Sequence, residues 1–253
     1  MNPIRCLVVL AGLNGGLGLC LLPAGAVAQV VVVGGSGPRV EGSGNMIEDA
    51  RSVPPFNGLV VAGPIDVQLR AGSAERVVVR ADDNIAPLIT TTVEDGKLVV
   101  GLKPGASLRT RSRMVAEVGF REMASVLVRG SGDVRADRIS APIFETTIRG
   151  SGDVVIDALE SDAVALSIAG SGDFTASGRA TKLGVVIVGS GDVRTEKLQA
   201  REVAVRIRGS GDARVHATES LQVDIAGSGD VRYRGEPKLT KKVAGSGEVR
   251  PLR

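Results

Sequence analysis

The fold is decided by a short stretch, VLVRGSGDV at residues 126–134, because its glycine-rich centre recurs six more times along the chain. The motif reads Gly-Ser-Gly-Asp in six copies and Gly-Ser-Gly-Glu in the last, and successive copies start 20, 20, 19, 20, 18 and 18 residues apart. Repeats of this length are typical of a stack of similar units, each of which packs only against its neighbours. The motifs begin at Gly130, Gly150, Gly170, Gly189, Gly209, Gly227 and Gly245.

Apolar residues alternate with polar ones before each motif. Positions two, four and six residues before the first glycine are mostly aliphatic, and the apolar column resumes four residues after it. This period of two is typical of a β-strand with one buried face. The column two residues before the glycine contains only Val and Ile: Val128, Ile148, Ile168, Ile187, Ile207, Ile225 and Val243.

A single repeat cannot bury this apolar face, whereas stacked repeats place like residues over like at the strand spacing of about 4.8 Å. Each aliphatic side chain that becomes buried contributes about 1.5–3 kcal/mol. We therefore predict an all-β fold, a parallel β-helix or β-solenoid with coils of about 18–20 residues and two or three short strands per coil. The seven motif glycines are predicted to form structural turns, since a sharp corner needs the positive φ that glycine adopts without steric cost.

The beginning of the chain resembles an export signal. Arg5 precedes an apolar run, and Ala26-Val27-Ala28 is a small-residue cleavage pattern, so residues 1–28 are predicted to be a signal peptide. A transmembrane anchor and lipidation at Cys20 are the alternatives. Both cysteines lie within this segment, so the mature chain would have no disulfide and no thiol chemistry. It is also predicted not to span a membrane.

Three further segments follow the predicted signal. Residues 29–45 are predicted to form a flexible Gly/Ser lead-in, and residues 46–125 to form irregular N-terminal β coils of the solenoid. Asp95-Gly96 is a strong hairpin signal within the second of these segments. Residues 126–253 are predicted to be the regular β-solenoid with the seven turns.

Composition argues against most enzyme classes. The net charge is +3, and loss of Arg5 with the signal would leave +2, which does not favour nucleic acid as a partner. His216 is the only histidine, and no cofactor motif is present, so neither a Ser-His-Asp arrangement nor a cofactor is predicted. We expect a protein that is not an enzyme. A β-helix that acts on carbohydrate remains an alternative, although aromatic residues make up only 2% of the chain.

The repeated acids raise the question of calcium, because stacked Gly- and Asp-rich turns bind calcium in nonapeptide β-rolls. One carboxylate per coil is few for an ion that takes six or more oxygen ligands. An arginine follows the acid by two residues in five copies, which would relieve repulsion between stacked carboxylates without metal. A calcium-stabilised β-roll is thus a second hypothesis, with the weak candidates Asp133, Asp153, Asp173, Asp192, Asp212 and Asp230.

A partner could bind the outward positions of the middle coils, Gly184 and Ala204 among them, where the predicted surface is small or apolar beside arginine. A covering N-terminal segment is the alternative. The predicted partner face consists of Ala165, Ser167, Ala169, Val186, Val188, Arg206 and Arg208.

Several motifs resemble the family of the "putative autotransporter adhesin, head GIN domain". They are Gly42-Ser43-Gly44-Asn45, Phe56-Asn57-Gly58-Leu59, Gly63-Pro64-Ile65-Asp66-Val67, Ala81-Asp82-Asp83-Asn84 and the Gly-Ser-Gly-Asp-Val copies. The resemblance implies an all-β solenoid exported to the bacterial envelope, with a role in surface attachment and no catalytic residues. We expect a non-enzymatic structural or interaction module in the periplasm or on the cell surface, whose partner is an envelope protein or a surface ligand.

Overall fold

The computed structural model describes residues 39–72 and 74–252. The predicted signal at residues 1–28 and the first ten residues of the predicted lead-in therefore lie outside the described residues. The remainder is almost entirely β-structure, with a single 3-10 turn at Ala86–Leu88.

The repeats form the stack that the sequence predicts. Each strand pairs in parallel with the corresponding strand of the next coil, and each motif glycine lies opposite the next one, from Gly130 against Gly150 to Gly227 against Gly245. The predicted β-solenoid is confirmed. Its strands are β10 Ser125–Gly130, β11 Val134–Gly150, β12 Val154–Gly170, β13 Phe174–Gly189, β14 Val193–Gly209, β15 Ala213–Gly227, β16 Val231–Arg234, β17 Lys238–Gly245 and β18 Val249–Pro251.

The coils differ from the prediction in one respect. Strands β11 to β15 each run for 15 to 17 residues without interruption, whereas two or three short strands per coil were predicted. Inter-coil pairing continues around the bends of the coil, interrupted only by local register shifts, and each of these long strands ends at a Gly-Ser-Gly-Asp turn.

Unequal coil lengths are absorbed by irregularities in pairing. The coils that contain β11 and β12 are both 20 residues long and pair without a shift. The β13 coil is one residue shorter, and the register shifts once on each side of it, between Ile156 and Leu159 and between Thr175 and Ser177. The β15 coil is two residues shorter than the β14 coil, and two shifts separate them. The bulges keep the motif glycines aligned.

The core is a set of aliphatic columns that run along the stack. The predicted column two residues before each motif glycine is buried from Val128 to Ile225. Its last member, Val243, is 38% exposed because it belongs to the final described coil. In the same coil Lys241 lies opposite Val223, so a charged side chain ends a column that is otherwise mostly apolar.

The N-terminal part closes the other end of the stack with mixed pairing. Strand β3 (Gly58–Gly63) pairs with β10 on one side and with β7 (Lys97–Leu102) on the other, and β4 (Asp66–Ala71) connects β11 to β9 (Val115–Phe120) within the same 16-stranded sheet. Antiparallel pairs then complete this part of the sheet, β6 (Ile89–Glu94) with β7, and β5 (Arg76–Asp82) with β9 and with β2 (Met46–Arg51). The remaining strands of this part are β1 Arg39–Glu41 and β8 Ser107–Arg109.

Two local features fix this N-terminal part. Asp95 and Gly96 both have positive φ, 49° and 73°, and they connect β6 to β7 as the predicted hairpin turn.

The end of the predicted lead-in is ordered by a parallel pair of β1 with β8 and by side-chain hydrogen bonds from Ser43 and Asn45 to Asp83. These hydrogen bonds lower the pKa of the Asp83 carboxyl below its ordinary value. Their contribution is therefore present above the ordinary pKa and is lost as pH falls through the lowered one.

One buried hydroxyl yields a stability prediction. Thr146 is fully buried between Val126 and Leu166, and its Oγ1 has no hydrogen-bond partner within the described residues. A buried unpaired hydroxyl costs about 1–3 kcal/mol. We expect Thr146→Val to raise the free energy of unfolding, measured in urea, by about 1 kcal/mol.

The matched control is another buried threonine. The Thr195 hydroxyl donates a hydrogen bond of 3.0 Å to the carbonyl oxygen of Arg214. Thr195→Val should therefore lower the free energy of unfolding, whereas Thr146→Val should raise it. Equal effects of the two substitutions would contradict this account of Thr146.

Candidate functional site

The repeated turn is built by two glycines with different roles. The first glycine of each motif has positive φ, from +129° at Gly189 to +146° at Gly150. The second lies against the backbone of the preceding coil: a Cβ built on Gly191 would collide with the carbonyl oxygen of Gly172. Backbone bonds join consecutive turns, such as Ser190 N–H to the carbonyl oxygen of Gly170 at 3.0 Å. The turns therefore stack with no side chain between them.

The acids of the motifs form one continuous row, which we call the acid row. The Oδ1 atom of each aspartate accepts a hydrogen bond from the backbone N–H of the acid in the next coil, over 2.8 to 3.1 Å. The row begins at Asp66 of β4, which sequence reasoning had not included, and ends at Glu248. It contains all six weak calcium candidates.

This arrangement bears on the calcium hypothesis. One oxygen of each aspartate in the row is already used by a backbone N–H, so fewer oxygens are free to bind a cation. Within residues 39–72 and 74–252, no group of three or more His, Cys, Asp or Glu side chains is placed to hold a metal ion. The acid row has a structural explanation, since it satisfies one backbone donor in every coil.

Arginines neutralise part of the acid row. Arg194 contacts Asp173 at 2.9 Å and Asp192 at 3.1 Å, and Arg250 contacts Asp230 at 3.4 Å and Glu248 at 3.1 Å. Partial burial lowers the pKa of Arg194, but the hydrogen bond and charge of Asp173 outweigh it and raise that pKa overall. Arg135, also expected to pair with the row, contacts Asp157 instead at 3.1 Å.

The predicted partner face lies on the strand segments that precede the motif glycines, whereas the acid row follows those glycines. Its members point outward from β12, β13 and β14, at positions one, three and five residues before the motif glycine. We call these outward positions of β10 to β15 the flat face. Val186 and Val188 are 36% and 48% exposed, and Arg206 lies 3.8 Å from Asp224 of β15.

A small cavity opens in the flat face. It has a volume of about 180 Å³ and is lined by Gly184, Val185, Val186, Ala204, Val205, Arg206, Gln222 and Asp224. Sequence reasoning placed Gly184 and Ala204 in this patch but missed Gln222 and Asp224. Alignment of the repeats could have found them, since they occupy the same two columns as Ala204 and Arg206 one coil later.

Comparison with known proteins identifies the family. The family model described as "Putative auto-transporter adhesin, head GIN domain" matches residues 55–237. The chain belongs to this family. The matched residues contain six of the seven motif turns and the whole partner face. No curated protein matches the chain.

Solved structures share the fold of this GIN-domain protein. A putative adhesin from Bacteroides fragilis is 22% identical with a TM-score of 0.81, and the match covers 84% of this chain and all of the other. A putative adhesin from Parabacteroides distasonis is 25% identical, with a TM-score of 0.68 and coverage of 85% and 100%. A putative lipid binding protein from the same species is 23% identical, with a TM-score of 0.69 and the same coverage. None of these three proteins is described as an enzyme.

In the part of the chain that the structure describes, no helix has the length and apolar character needed to cross a membrane.

Asp192, near the centre of the acid row, should contribute to stability mainly through its backbone hydrogen bond. Asp192 accepts the N–H of Asp212 through Oδ1 and contacts Arg194 through Oδ2. Asp192→Ala should lower the free energy of unfolding by about 1–2 kcal/mol, because the N–H of Asp212 loses its partner. Asp192→Asn keeps an acceptor oxygen and loses only a half-exposed ion pair, so it should cost less than about 1 kcal/mol. Urea unfolding of both variants measures the difference; equal losses would mean that charge, not the backbone bond, dominates.

The melting temperature distinguishes an acid row without metal from one that calcium stabilises. A ligand that binds only the folded state raises the melting temperature once its concentration exceeds the dissociation constant, and the stabilisation grows with the logarithm of that concentration. We expect the melting temperatures of the protein in millimolar calcium and in excess chelator to coincide, because the row is satisfied by backbone N–H groups and arginines. A clear increase in calcium that is absent in equimolar magnesium would overturn this expectation and favour the β-roll hypothesis.

Proposed function

We propose that this protein is an exported, non-enzymatic interaction module of the bacterial cell envelope, and that it acts in adhesion through the flat face. The observation that carries the proposal is the exposure of Val186 and Val188 on a surface that also bears Arg206 and Arg208. Apolar side chains beside arginine, on a rigid scaffold, are the composition of protein interaction surfaces.

Membership of the adhesin family supports this role. Two of the structures that share the fold are also putative adhesins, at identities of 22% and 25%. Export is proposed from the charge, apolar run and cleavage pattern of residues 1–28. Location in the periplasm or on the cell surface follows from export and family together.

The acid row supports a non-enzymatic role indirectly. The repeated carboxylates, which would be the first candidates for general acid or base catalysis, bond to backbone N–H groups of the next coil. The single histidine, His216, lies on β15 opposite Gln199. We propose that the repeats serve to hold the flat face rigid over several coils.

Attachment of cells tests the proposal. A deletion strain of the producing bacterium is complemented with the wild-type chain or with Val186→Asp combined with Val188→Asp. We expect the wild type to restore attachment to polystyrene and to a layer of the same cells, and the double variant to restore less than half of it. Two charges placed in an apolar contact would have to be desolvated when the partner binds.

The control adds the same charge elsewhere. Ser177→Asp combined with Gln199→Asp changes two neighbouring coils outside the flat face, and it should restore attachment fully. Fractionation of cells that carry a tagged chain locates the protein. The proposal fails if the deletion strain attaches normally, or if the tagged chain stays in the cytoplasm.

A further inference from the structure

Gly184 lies in the flat face at a position where the fold does not require glycine. Its φ is not in the positive range, and a Cβ built on it would meet only the carbonyl oxygen of Val164, at an ordinary contact distance of 3.8 Å. Glycine within a strand is less favourable than alanine, because it loses more conformational freedom on folding and has no side chain to pack. This differs from the motif glycines, where a Cβ would collide with backbone. The absent side chain leaves open the cavity of about 180 Å³.

The cavity combines three kinds of group. Val186 supplies an apolar wall, Arg206 and the Gln222 amide supply hydrogen-bond donors, and Asp224 with the Gln222 carbonyl supplies acceptors. Hydroxyl groups both donate and accept hydrogen bonds, and a sugar ring also presents C–H faces that pack on aliphatic side chains. The lining therefore fits a sugar ring better than a purely apolar group.

The flat face carries more arginines than acids, since Arg129, Arg149, Arg206 and Arg208 stand against Glu145 and Asp224. Among the described residues, none of Arg129, Arg149 and Arg208 takes part in an ion pair, and Arg129 lies directly opposite Arg149 in neighbouring strands. Like charges in neighbouring strands repel each other even in water. On the acid-row side, by contrast, Arg194 and Arg250 lie against carboxylates. An anionic ligand would relieve this repulsion, whereas a second copy of the same face would increase it.

The arginines are arranged in a line. Arg129, Arg149 and Arg208 occupy the position next to the motif glycine in three coils, with Ala169 and Val188 at the same position in the two coils between them. At about 4.8 Å per coil, Arg149 and Arg208 are about 14 Å apart along the axis of the stack. A sugar residue in an extended polysaccharide advances by nearly one coil. An acidic polysaccharide along the axis would thus bring a carboxylate to each arginine.

We propose that the flat face binds a linear acidic polysaccharide along the solenoid axis, with one sugar in the cavity at Gly184 and its carboxylates on Arg149, Arg206 and Arg208. This inference rests on the proposed function, since it names the ligand of the same face. The small side chains of the middle coils, Ala165, Gly184 and Ala204, favour a ribbon-like polymer that lies in a shallow trough. A lipid surface would instead favour protruding apolar side chains.

Titration calorimetry of the purified protein with polygalacturonate tests the proposal, with neutral dextran as the uncharged comparison. Gly184→Val fills the cavity and Arg206→Gln removes a charge; each should weaken binding by about tenfold or more. Gly184→Val should also leave the melting temperature unchanged or raise it, because valine is preferred over glycine in strands. Loss of binding without loss of stability cannot then come from misfolding.

Two control variants introduce a valine and remove an arginine on the acid-row side instead. Thr175→Val lies on the same strand as Gly184, and Arg214→Gln removes one exposed positive charge. Both should bind polygalacturonate as the wild type does. Equal binding by Gly184→Val and the wild type would overturn the inference, and so would dextran binding as tight as that of polygalacturonate. Binding only to vesicles that contain phosphatidylglycerol would overturn it in favour of an anionic membrane surface.

Failure of this inference can be told apart from failure of the proposed function. If the Val186→Asp, Val188→Asp variant abolishes cell attachment while polygalacturonate does not bind, the flat face is adhesive and its ligand is of another class. If polygalacturonate binds through Gly184 and Arg206 while the deletion strain attaches normally, the ligand is right and adhesion is not its purpose.

Discussion

Close backbone contact between consecutive turns is the constraint on which the rest of this structure depends. The second glycine of each motif, such as Gly191, lies against the carbonyl oxygen of its counterpart in the preceding coil, where no side chain fits. The first glycine turns the chain with a φ that other residues rarely adopt. Because every coil is held to its neighbour at this corner, like residues lie over like in the strands on both sides of it.

Because the coils are aligned at the corner, differences in coil length must be accommodated elsewhere in the chain. Coils of 18, 19 and 20 residues can stack only if the surplus residues leave the ladder, and the register shifts between β12 and β15 all occur after the motif acid, in the part of the strand that leaves the turn. The aliphatic columns before the glycine therefore stay in register. The pairing register and the number of residues vary only in the part of the coil that follows the acid row.

The same alignment produces two surfaces of opposite character. On one, aspartates accept backbone hydrogen bonds from coil to coil and arginines such as Arg194 lie among them, so charge is largely balanced within the protein. On the other, Arg129 and Arg149 are stacked without an acid between them, and the exposed Val188 lies opposite Arg208. A surface balanced by its own residues has little to gain from a ligand, whereas the flat face can gain both charge neutralisation and apolar burial.

The sequence by itself determined the solenoid, the inward columns and the common face of Ala165, Val186 and Arg206, because a fixed motif and a period of two assign each residue to a column and a side. It could not show that each coil is one long strand, since continuity around a bend depends on hydrogen bonds to neighbouring coils. Nor could it show the antiparallel closure by β2, β5 and β9, where no repeat sets the pairing. Only the tertiary structure decided that Gly184 opens a cavity beside Gln222 and Asp224, because the space left by a missing side chain depends on what the adjacent coils place around it.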